Sequence, residues 1–268
     1  MHLIILFALL QGFTEFIPVS SQGHLIIFNN FFNINIMSNI TVLEANVIAH
    51  AGSLVAVSLY YRKEIFSLFI SLRHIVRPDI DKNSTLLIQL IIATLPILLC
   101  GFFFSKYFNY SDKSLLLIIG ITSISFGIVL FFFDRFCLTV KGSQEMNFLT
   151  SLCVGIFQCL ALIPGVSRSG IAITAARFLK FKRVDSAKLS FLISIPILGA
   201  VTIFGLKNIL ITESQYEAKI SIFAICLAFL FSLITIKFFL KYLNRFSLNI
   251  FVYYRVLLGI ILLFLTYS

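Results

Sequence analysis

Charged residues are scarce in this sequence, and their scarcity excludes most classes of soluble protein. Only 12% of the 268 residues are Asp, Glu, Lys or Arg, whereas 59% are hydrophobic and 31 are Phe. The mean hydropathy is +1.03, and no water-soluble domain of this length needs so much apolar surface. The composition therefore predicts an all-α, polytopic membrane protein.

The sequence also lacks a cysteine pattern that could form a disulfide framework or hold zinc. The five cysteines are odd in number and lie mostly within apolar segments. Residues 1–12 are apolar but have no basic region and no small-residue cleavage site, so we expect an uncleaved membrane segment. The net charge of +10 comes without a basic domain or a base-stacking module. We therefore expect no nucleic-acid partner and attribute the charge to the loops of a membrane protein.

Six segments are apolar over the length of about 20 residues that spanning a bilayer requires. We place them near residues 43–61, 85–105, 115–133, 188–207, 220–240 and 248–267. Two further apolar stretches, near 1–31 and 148–176, are each interrupted by a polar motif, so that neither half can cross alone. They predict two re-entrant helical hairpins with the motifs at their tips. The stretch 62–84 is expected to be a polar loop with a short interfacial piece at 65–72.

The two hairpins indicate an internal repeat. A shift of 147 residues aligns Gln11 with Gln158, Val19 with Val166, Ser20 with Ser167 and Gly23 with Gly170. In each half a broken hairpin precedes three spans, so the second half must enter from the opposite face, as in inverted-topology repeats. We expect one membrane domain, 1–268, with repeat halves 1–134 and 147–268 and both hairpin tips near the midplane.

The basic residues predict an orientation for this topology. Four lie on one side: Lys106, Lys113, Lys207 and Lys219. Fifteen lie on the other: Arg62, Lys63, Arg73, Arg77, Lys82, Arg135, Lys141, Arg177, Lys180, Lys182, Arg183, Lys188, Lys237, Lys241 and Arg245. The larger set is expected to face the cytoplasm, so that both termini and the mouth of the first hairpin face the outside.

The first hairpin carries the motif QGFTEFIPVSSQGH at residues 11–24. Gln11 and Glu15 are four residues apart, so on a helix they share one face. A carboxylate at this depth is costly without a task, which makes Glu15 a candidate metal ligand or general base. Gln11 could offer its amide oxygen to the same metal or to a substrate, or could instead satisfy the backbone where the helix breaks.

Pro18 is expected to end the first half-helix, after which the chain turns toward His24. Ser20 and Ser21 are either caps for unpaired amides or part of the chemistry. In the functional interpretation Ser21 is a nucleophile or phosphate ligand, and His24 lies about one turn away as base, acid or nucleophile. We favour function for His24, because a histidine deep in an apolar stretch is more often a partner than a filler.

The second hairpin carries PGVSRSGIAIT at residues 164–174, which is typical of an anion-binding loop leading into a helix. Backbone N–H groups at a helix start, hydroxyls and a guanidinium together suit a phosphate group. Arg168 is the only basic residue in either break, so we expect a charged oxyanion as its partner. An internal ion pair with Glu15 is the alternative, and the two can coexist.

Two polar residues in other apolar segments are less specific. Arg255 is expected to face the interior of the bundle, with no partner that the sequence names. His50 borders a predicted span, and we expect an interfacial rather than a catalytic role for it.

The two motifs together resemble the signatures of the undecaprenyl-diphosphatase, or bacitracin-resistance, family. Those signatures are [E/Q]-x-x-x-E and P-G-x-S-R-S-x-x-T, and they occur here in the same order. Residues 11–15 match the first, and residues 164–169 match the second as far as its second serine, with Thr174 two positions beyond the place of its threonine. Weaker similarity continues through HAGSLVA at 50–56, ATLP at 93–96, SFLISIP at 190–196 and YRVLLG at 254–259. The resemblance thus covers nearly the whole chain.

The resemblance implies hydrolysis of undecaprenyl diphosphate to undecaprenyl phosphate and inorganic phosphate, which recycles the lipid carrier for peptidoglycan synthesis and confers bacitracin resistance. It also implies a divalent cation, Mg²⁺ or Ca²⁺, and a site in the bacterial inner membrane that opens toward the periplasm. The catalytic positions of the family fall on Glu15, Ser21, His24 and Arg168. The substrate-binding residues that we expect from the resemblance are Gln11, Ser20, Gly165, Ser167, Ser169 and Thr174. Glu15 and Gln11 are the expected metal ligands, and because Gln11 stands where glutamate is common, we expect weaker cation binding.

A prenyl-phosphate transporter or flippase is the alternative function, since inverted repeats with broken helices at the midplane are typical of transporters. The acid-phosphatase-like lipid phosphatases are excluded, because their motif needs a histidine six residues after an S-R pair, where this chain has Thr174. The sequence leaves open whether the nucleophile is Ser21, His24 or water. It also leaves open the identity of the cation and whether the protein is a homodimer.

Overall fold

The computed structural model describes residues 2–32, 42–74, 81–104, 112–137, 139–212 and 215–267. Over these ranges it is helical and contains no named β-strand, which confirms the predicted fold class. The eleven α-helices are α1 His2–Thr14, α2 Ser21–Phe32, α3 Val42–Tyr60, α4 Arg62–Ser71, α5 Lys82–Phe104, α6 Asp112–Phe136, α7 Phe148–Cys159, α8 Arg168–Phe178, α9 Arg183–Thr212, α10 Gln215–Leu243 and α11 Asn249–Tyr267.

Six of these helices correspond to the six predicted spans. In α5, α6, α9, α10 and α11 the apolar part is 19 to 24 residues long, which is enough to cross a bilayer. The sixth, α3, has 19 residues in all, and its apolar part, Ala45–Tyr60, is shorter than those of the other five. Large apolar side chains are exposed along their outer faces, for example Leu257, Ile260 and Phe264 on α11. Such a surface suits lipid rather than water, and the chain is a multi-pass membrane protein.

The two interrupted stretches fold as helical hairpins, in which α1 packs on α2 and α7 packs on α8. The first half-helix ends at Thr14. The predicted end at Pro18 is therefore wrong by four residues. Pro18 has no N–H, so the helical hydrogen bond to the Thr14 carbonyl cannot form and the helix stops earlier. In the second hairpin a 3₁₀ turn, Leu160–Leu162, leads into the break. There Gly165 and Ser167 have positive φ angles of 87° and 69°.

The helices pack in the pairs that a two-fold relation between the halves would produce. The first span of each half packs on its counterpart, α3 on α9, and the last spans do the same, α6 on α11. The first helix of each hairpin packs on the second span of the other half, α1 on α10 and α7 on α5. At the α6–α11 crossing a Cβ on Gly259 would lie 2.7 Å from the Gly120 carbonyl oxygen. The division into repeat halves stays a prediction, and these pairs support it.

A buried ion cluster joins the helix ends at one side of the bundle. Asp134, near the end of α6, is 3% exposed. Its Oδ1 accepts hydrogen bonds from Arg177 Nε at 2.9 Å and from Arg183 Nε at 2.8 Å. The Leu248 N–H, just before α11, donates to its Oδ2 at 3.2 Å. This cluster therefore fixes the C-terminal end of α8, whose N-terminal end lies at the second break.

The predicted loop 62–84 contains α4 and a 3₁₀ turn, Leu72–His74. Phe66 and Phe69 on α4 are exposed, and the helix packs on α5. Residues 75–80 of this loop, with Arg77, lie outside the described residues, as do Lys106 and the side chain of Lys207.

Candidate active site

The tips of the two hairpins meet at a buried ion pair. Glu15 directly follows α1 and is 6% exposed. Its Oε1 accepts a hydrogen bond of 2.5 Å from Nη2 of Arg168, the first residue of α8. A second link joins Ser169, whose Oγ donates to the Ile17 carbonyl at 2.9 Å. The predicted convergence of the two breaks is confirmed, and so is the internal ion pair.

The other carboxylate oxygen of Glu15 is held by the side-chain amide of Gln11. Gln11 Nε2 lies 2.5 Å from Glu15 Oε2 and 2.9 Å from His50 Nδ1. The carboxylate needs a donor, so the NH₂ group of Gln11 must face it, and the second N–H of that group then points to His50. His50 Nδ1 therefore accepts this hydrogen bond, and the neutral ring carries its hydrogen on Nε2.

The interfacial role predicted for His50 is therefore wrong. Its side chain is 15% exposed, and Nδ1 lies 3.6 Å from Glu15 Oε2. The helical phase of α3 turns it toward the first hairpin, because α1 packs directly on α3. The only sequence signal was a polar side chain within an apolar span, which by itself names no partner.

Ser20 and Ser167, which the predicted repeat aligns, each accept a hydrogen bond from a backbone N–H at the start of a helix. Ser20 Oγ accepts from the Gly23 N–H at 3.2 Å, and Ser167 Oγ accepts from the Gly170 N–H at 3.1 Å. Both are N-caps, so the capping alternative is confirmed for Ser20. The aligned glutamines differ, since Gln158 Nε2 donates to the Ala93 carbonyl at 2.9 Å instead of to a carboxylate.

His24 lies on α2 with both ring nitrogens engaged. Nδ1 is 2.6 Å from the Ser20 carbonyl oxygen, which can only accept, so Nδ1 carries a hydrogen. Nε2 lies 2.5 Å from the Tyr254 hydroxyl, and the two rings are parallel within 2°. In the neutral imidazole the Tyr254 hydroxyl therefore donates to Nε2. The side chain of Ser21, by contrast, forms no hydrogen bond with the described part of the chain.

The second break is shaped by glycine and by hydroxyls that bind backbone. At Gly165 a Cβ would lie 2.2 Å from Thr122 Oγ1, so no side chain fits. Thr122 Oγ1 donates to the Pro164 carbonyl at 2.7 Å, and Thr174 Oγ1 donates to the Gly170 carbonyl at 2.7 Å. The hydroxyl of Thr174 is thus satisfied within its own helix, and the substrate-binding role predicted for it stays a prediction.

The residues present fit a divalent cation that is shared with a substrate. The described residues contain no group of three or more His, Cys, Asp or Glu side chains that could hold a metal alone. Mg²⁺, however, is usually bound by one or two carboxylates together with substrate phosphates. Gln11 Oε1 is buried and has no partner in the described part of the chain. Glu15 and this free amide oxygen are the donors that such a cation would use.

Comparison with known proteins finds similarity to one family along nearly the whole chain. Residues 4–261 match the family described as "Bacitracin resistance protein BacA". The chain is 41% identical over 267 residues to the undecaprenyl-diphosphatase of Pelagibacter ubique (strain HTCC1062), which covers 99% of this chain and 97% of the relative. It is 39% identical over 258 residues to the undecaprenyl-diphosphatase of Aliivibrio salmonicida (strain LFI1238), covering 96% and 94%. A third such relative, from Jannaschia sp. (strain CCS1), is 35% identical over 266 residues, covering 99% and 98%.

Proposed function

Since this chain belongs to the bacitracin resistance protein BacA family, we propose that it is a membrane phosphatase that hydrolyses undecaprenyl diphosphate to undecaprenyl phosphate and inorganic phosphate. The observation that carries this proposal is the buried pair of Glu15 and Arg168 at the meeting point of the two breaks. A phosphatase of this kind recycles the lipid carrier for peptidoglycan synthesis, and the family name implies bacitracin resistance.

Arg168 and the start of α8 bind the diphosphate in this proposal. The N–H groups of Ser167, Arg168 and Ser169 form no hydrogen bond with the described part of the chain, and N–H groups at a helix start favour anions. The diphosphate competes with Glu15 for the guanidinium and stays within reach of these amides. Charge that develops on the transferred phosphoryl group is then stabilised by Arg168 and the amides, which is the main requirement of this chemistry.

Glu15 and Gln11 hold the divalent cation in this proposal. When bound, the cation offsets the charge of the diphosphate and orients it. His50 keeps the amide of Gln11 turned so that its NH₂ group faces Glu15 and its oxygen stays free. Gln11 and His50 thus hold the carboxylate of Glu15 in place, and neither side chain brings a charge of its own to the site.

The contacts favour Ser21 over His24 as the nucleophile. Ser21 Oγ is unbonded within the described chain, whereas Nε2 of His24 is occupied by Tyr254 and Nδ1 carries a hydrogen. An attack by His24 would first require the loss of the Tyr254 hydrogen bond. Trapping a phosphorylated enzyme and mapping the phosphate to Ser21, to His24 or to neither distinguishes these two residues from direct attack by water.

The charge bias supports an orientation in which the first hairpin opens to the periplasm of a bacterial inner membrane. Both the site and the prenyl tail then lie within the membrane domain, with the tail among the apolar helices. The proposed hydrolysis requires neither an intact bilayer nor a difference between its two sides, so the activity can be tested in detergent.

The test is phosphate release from undecaprenyl diphosphate by the purified protein in detergent. The wild type should release phosphate, and Arg168→Ala should lower kcat by about 100-fold to 1,000-fold, which is the usual cost of one charge-stabilising donor. Detergent has no two sides, so a lipid transporter that uses the same residues would release none. Absence of release by the wild type, with flux of prenyl phosphate across liposomes, would overturn the proposal in favour of transport.

A further inference from the structure

Arg255 lies behind the second break, in the middle of α11, and is 0% exposed. All the hydrogen bonds of its guanidinium go to backbone carbonyl oxygens. Nη1 donates to Val166 at 3.0 Å and Nη2 to Gly165 at 3.1 Å, both in the break. Nε donates to Ser123 at 3.2 Å and Nη2 also to Thr122 at 3.4 Å, both on α6. The side chain therefore ties the second break to α6.

Arg255 forms no ion pair within the described part of the chain, where the salt bridges involve other cations. A buried cation without an acid is costly unless its N–H groups are bonded. Arginine can meet this requirement because its donors form a rigid plane that reaches several acceptors at once. Lysine carries its three donors on one nitrogen and could not span the same carbonyls.

Two glycines provide the space for this side chain. A Cβ at Gly127 would lie 3.3 Å from Arg255 Cβ, beside the stem. A Cβ at Gly170 would lie 2.9 Å from Arg255 Nη1, beside the head. The side chain thus fills a slot in which Gly127 of α6 leaves room for the stem and Gly170 of α8 leaves room for the guanidinium.

The consequence for the break is a fixed direction of three successive carbonyls. Thr122 binds the carbonyl of Pro164, and Arg255 binds those of Gly165 and Val166. In a trans peptide the N–H of the next residue points opposite to the carbonyl. With the Val166 carbonyl held against Arg255, the N–H of Ser167 must point away from α11, at the start of the amide series that ends in α8.

We propose that Arg255 is the positioning residue of the phosphate-binding loop. It holds the Gly165 and Val166 carbonyls away from the bound diphosphate, so that the following N–H groups and Arg168 face it. Without this contact the partial negative charge of those carbonyls could turn toward the anion. This proposal rests on the proposed function, because it gives Arg255 a task only in a site that binds phosphate.

The first test is Arg255→Lys in the phosphate-release assay with undecaprenyl diphosphate. Misplacement of a binding loop by about 1 Å can cost about 100-fold, and we expect kcat/KM to fall by about tenfold to 100-fold. The matched control is Arg177→Lys at the opposite end of α8, because Arg177 is equally buried and also donates to backbone carbonyls, those of Asp134 and Phe181. The control should lower the melting temperature while kcat/KM per folded molecule changes less than about twofold.

A coupling measurement separates positioning from a purely structural role. If Arg255 acts through the loop that presents Arg168, Arg255→Lys should cost less than about threefold in an Arg168→Lys background, because residues that act as a unit are not additive. A merely structural Arg255 would lower activity by the same factor in both backgrounds. Equal factors in the two backgrounds would overturn the proposal.

A second variant decides the matter if Arg255→Lys does not fold. Gly127→Ala crowds the stem of Arg255 without touching the loop, and it should lower kcat/KM severalfold in the wild type but not in Arg168→Lys. An unchanged kcat/KM in the wild-type background would then overturn the proposal. Failure of the wild type to release phosphate is a different result, since it removes the proposed function itself.

Discussion

The polar side chains in the two breaks differ in how completely their hydrogen bonds are satisfied. Glu15 is bonded at both oxygens, by Arg168 and by Gln11. Gln11 Oε1 has no partner within the described chain although it is buried, and such atoms are rare in native proteins. The carboxylate is thus prepared by neighbouring residues, whereas the free amide oxygen is available to a ligand.

His50→Ala tests whether His50 holds the Gln11 amide in position to donate to Glu15. The substitution leaves one buried N–H of Gln11 without an acceptor, which should cost about 1–3 kcal/mol in stability and also lower kcat/KM. His50→Gln is the control, because its amide oxygen can accept the same hydrogen bond. Thermal unfolding and phosphate release in detergent measure both effects. Equal losses for Ala and Gln would show that the acceptor is not what matters.

Sequence reasoning correctly anticipated the contacts of residues that lie in a local polar motif. The meeting of Glu15 with Arg168 was among the predicted outcomes, and a cap was one of the two roles considered for Ser20, because a buried charge or a helix start has few explanations. It failed for His50, whose partner lies 39 residues away and is found only through the packing of α1 on α3. It named no partner for Arg255 because backbone carbonyls are the acceptors, and every residue has one.

At the scale of elements, each hairpin is a helix broken by a short loop whose shape depends on a few positions. In the second break Gly165 combines a φ angle of 87° with close contact to α6. In the first break Pro18 cannot donate a helical hydrogen bond to the Thr14 carbonyl, and Ser20 caps the start of α2. The sequence predicted both breaks from proline and glycine, but the exact end of α1 depends on a hydrogen bond that Pro18 cannot make.

Gly165→Ala should be among the most disruptive substitutions of a single glycine. The left-handed conformation costs about 1–2 kcal/mol, and the new Cβ would also meet Thr122 Oγ1 and, at 2.7 Å, the Ile119 Cα. Gly199→Ala is the matched control, because no atom lies within 4 Å of its added Cβ and helix propensity should give about 0.5–1 kcal/mol. The melting temperature should therefore fall for Gly165→Ala and rise for Gly199→Ala. A shift in the same direction for both would contradict this account of the break.

The junction of α4 and α5 should respond to acid. Ser71 Oγ donates to Asp81 Oδ2 at 2.5 Å and the Asn83 N–H donates to Oδ1 at 3.0 Å. These hydrogen bonds, that of Ser71 first, lower the pKa of the Asp81 carboxyl in the folded protein. Its stabilisation is therefore complete above the ordinary pKa of about 4 and is lost as the pH falls through the lower folded-state pKa.

The difference in melting temperature between wild type and Asp81→Ala reports this effect. The difference should be constant at neutral pH and should shrink as the pH falls below about 4. A difference that grows on acidification would give the shift the wrong sign and remove the carboxylate from the junction.

At the scale of the whole molecule, the fold brings together two short polar segments that lie far apart in the chain. The six spans and two hairpins could be predicted, because length and hydropathy determine which segments cross a membrane. The predicted inverted repeat places the two tips together, and Glu15 and Arg168 do meet. The contributions of α3 and α11 to the site could not be predicted, since apolar spans give no sign of which face turns to the tips.

The central claim is that the two breaks form one catalytic unit, and coupling between their charged residues tests it most directly. Glu15→Gln, Arg168→Lys and the double variant should be compared by kcat/KM for phosphate release from undecaprenyl diphosphate in detergent. Because the two side chains share one hydrogen bond, the loss in the double variant should be smaller than the product of the single losses by about tenfold. A double variant whose loss equals that product would contradict a shared site.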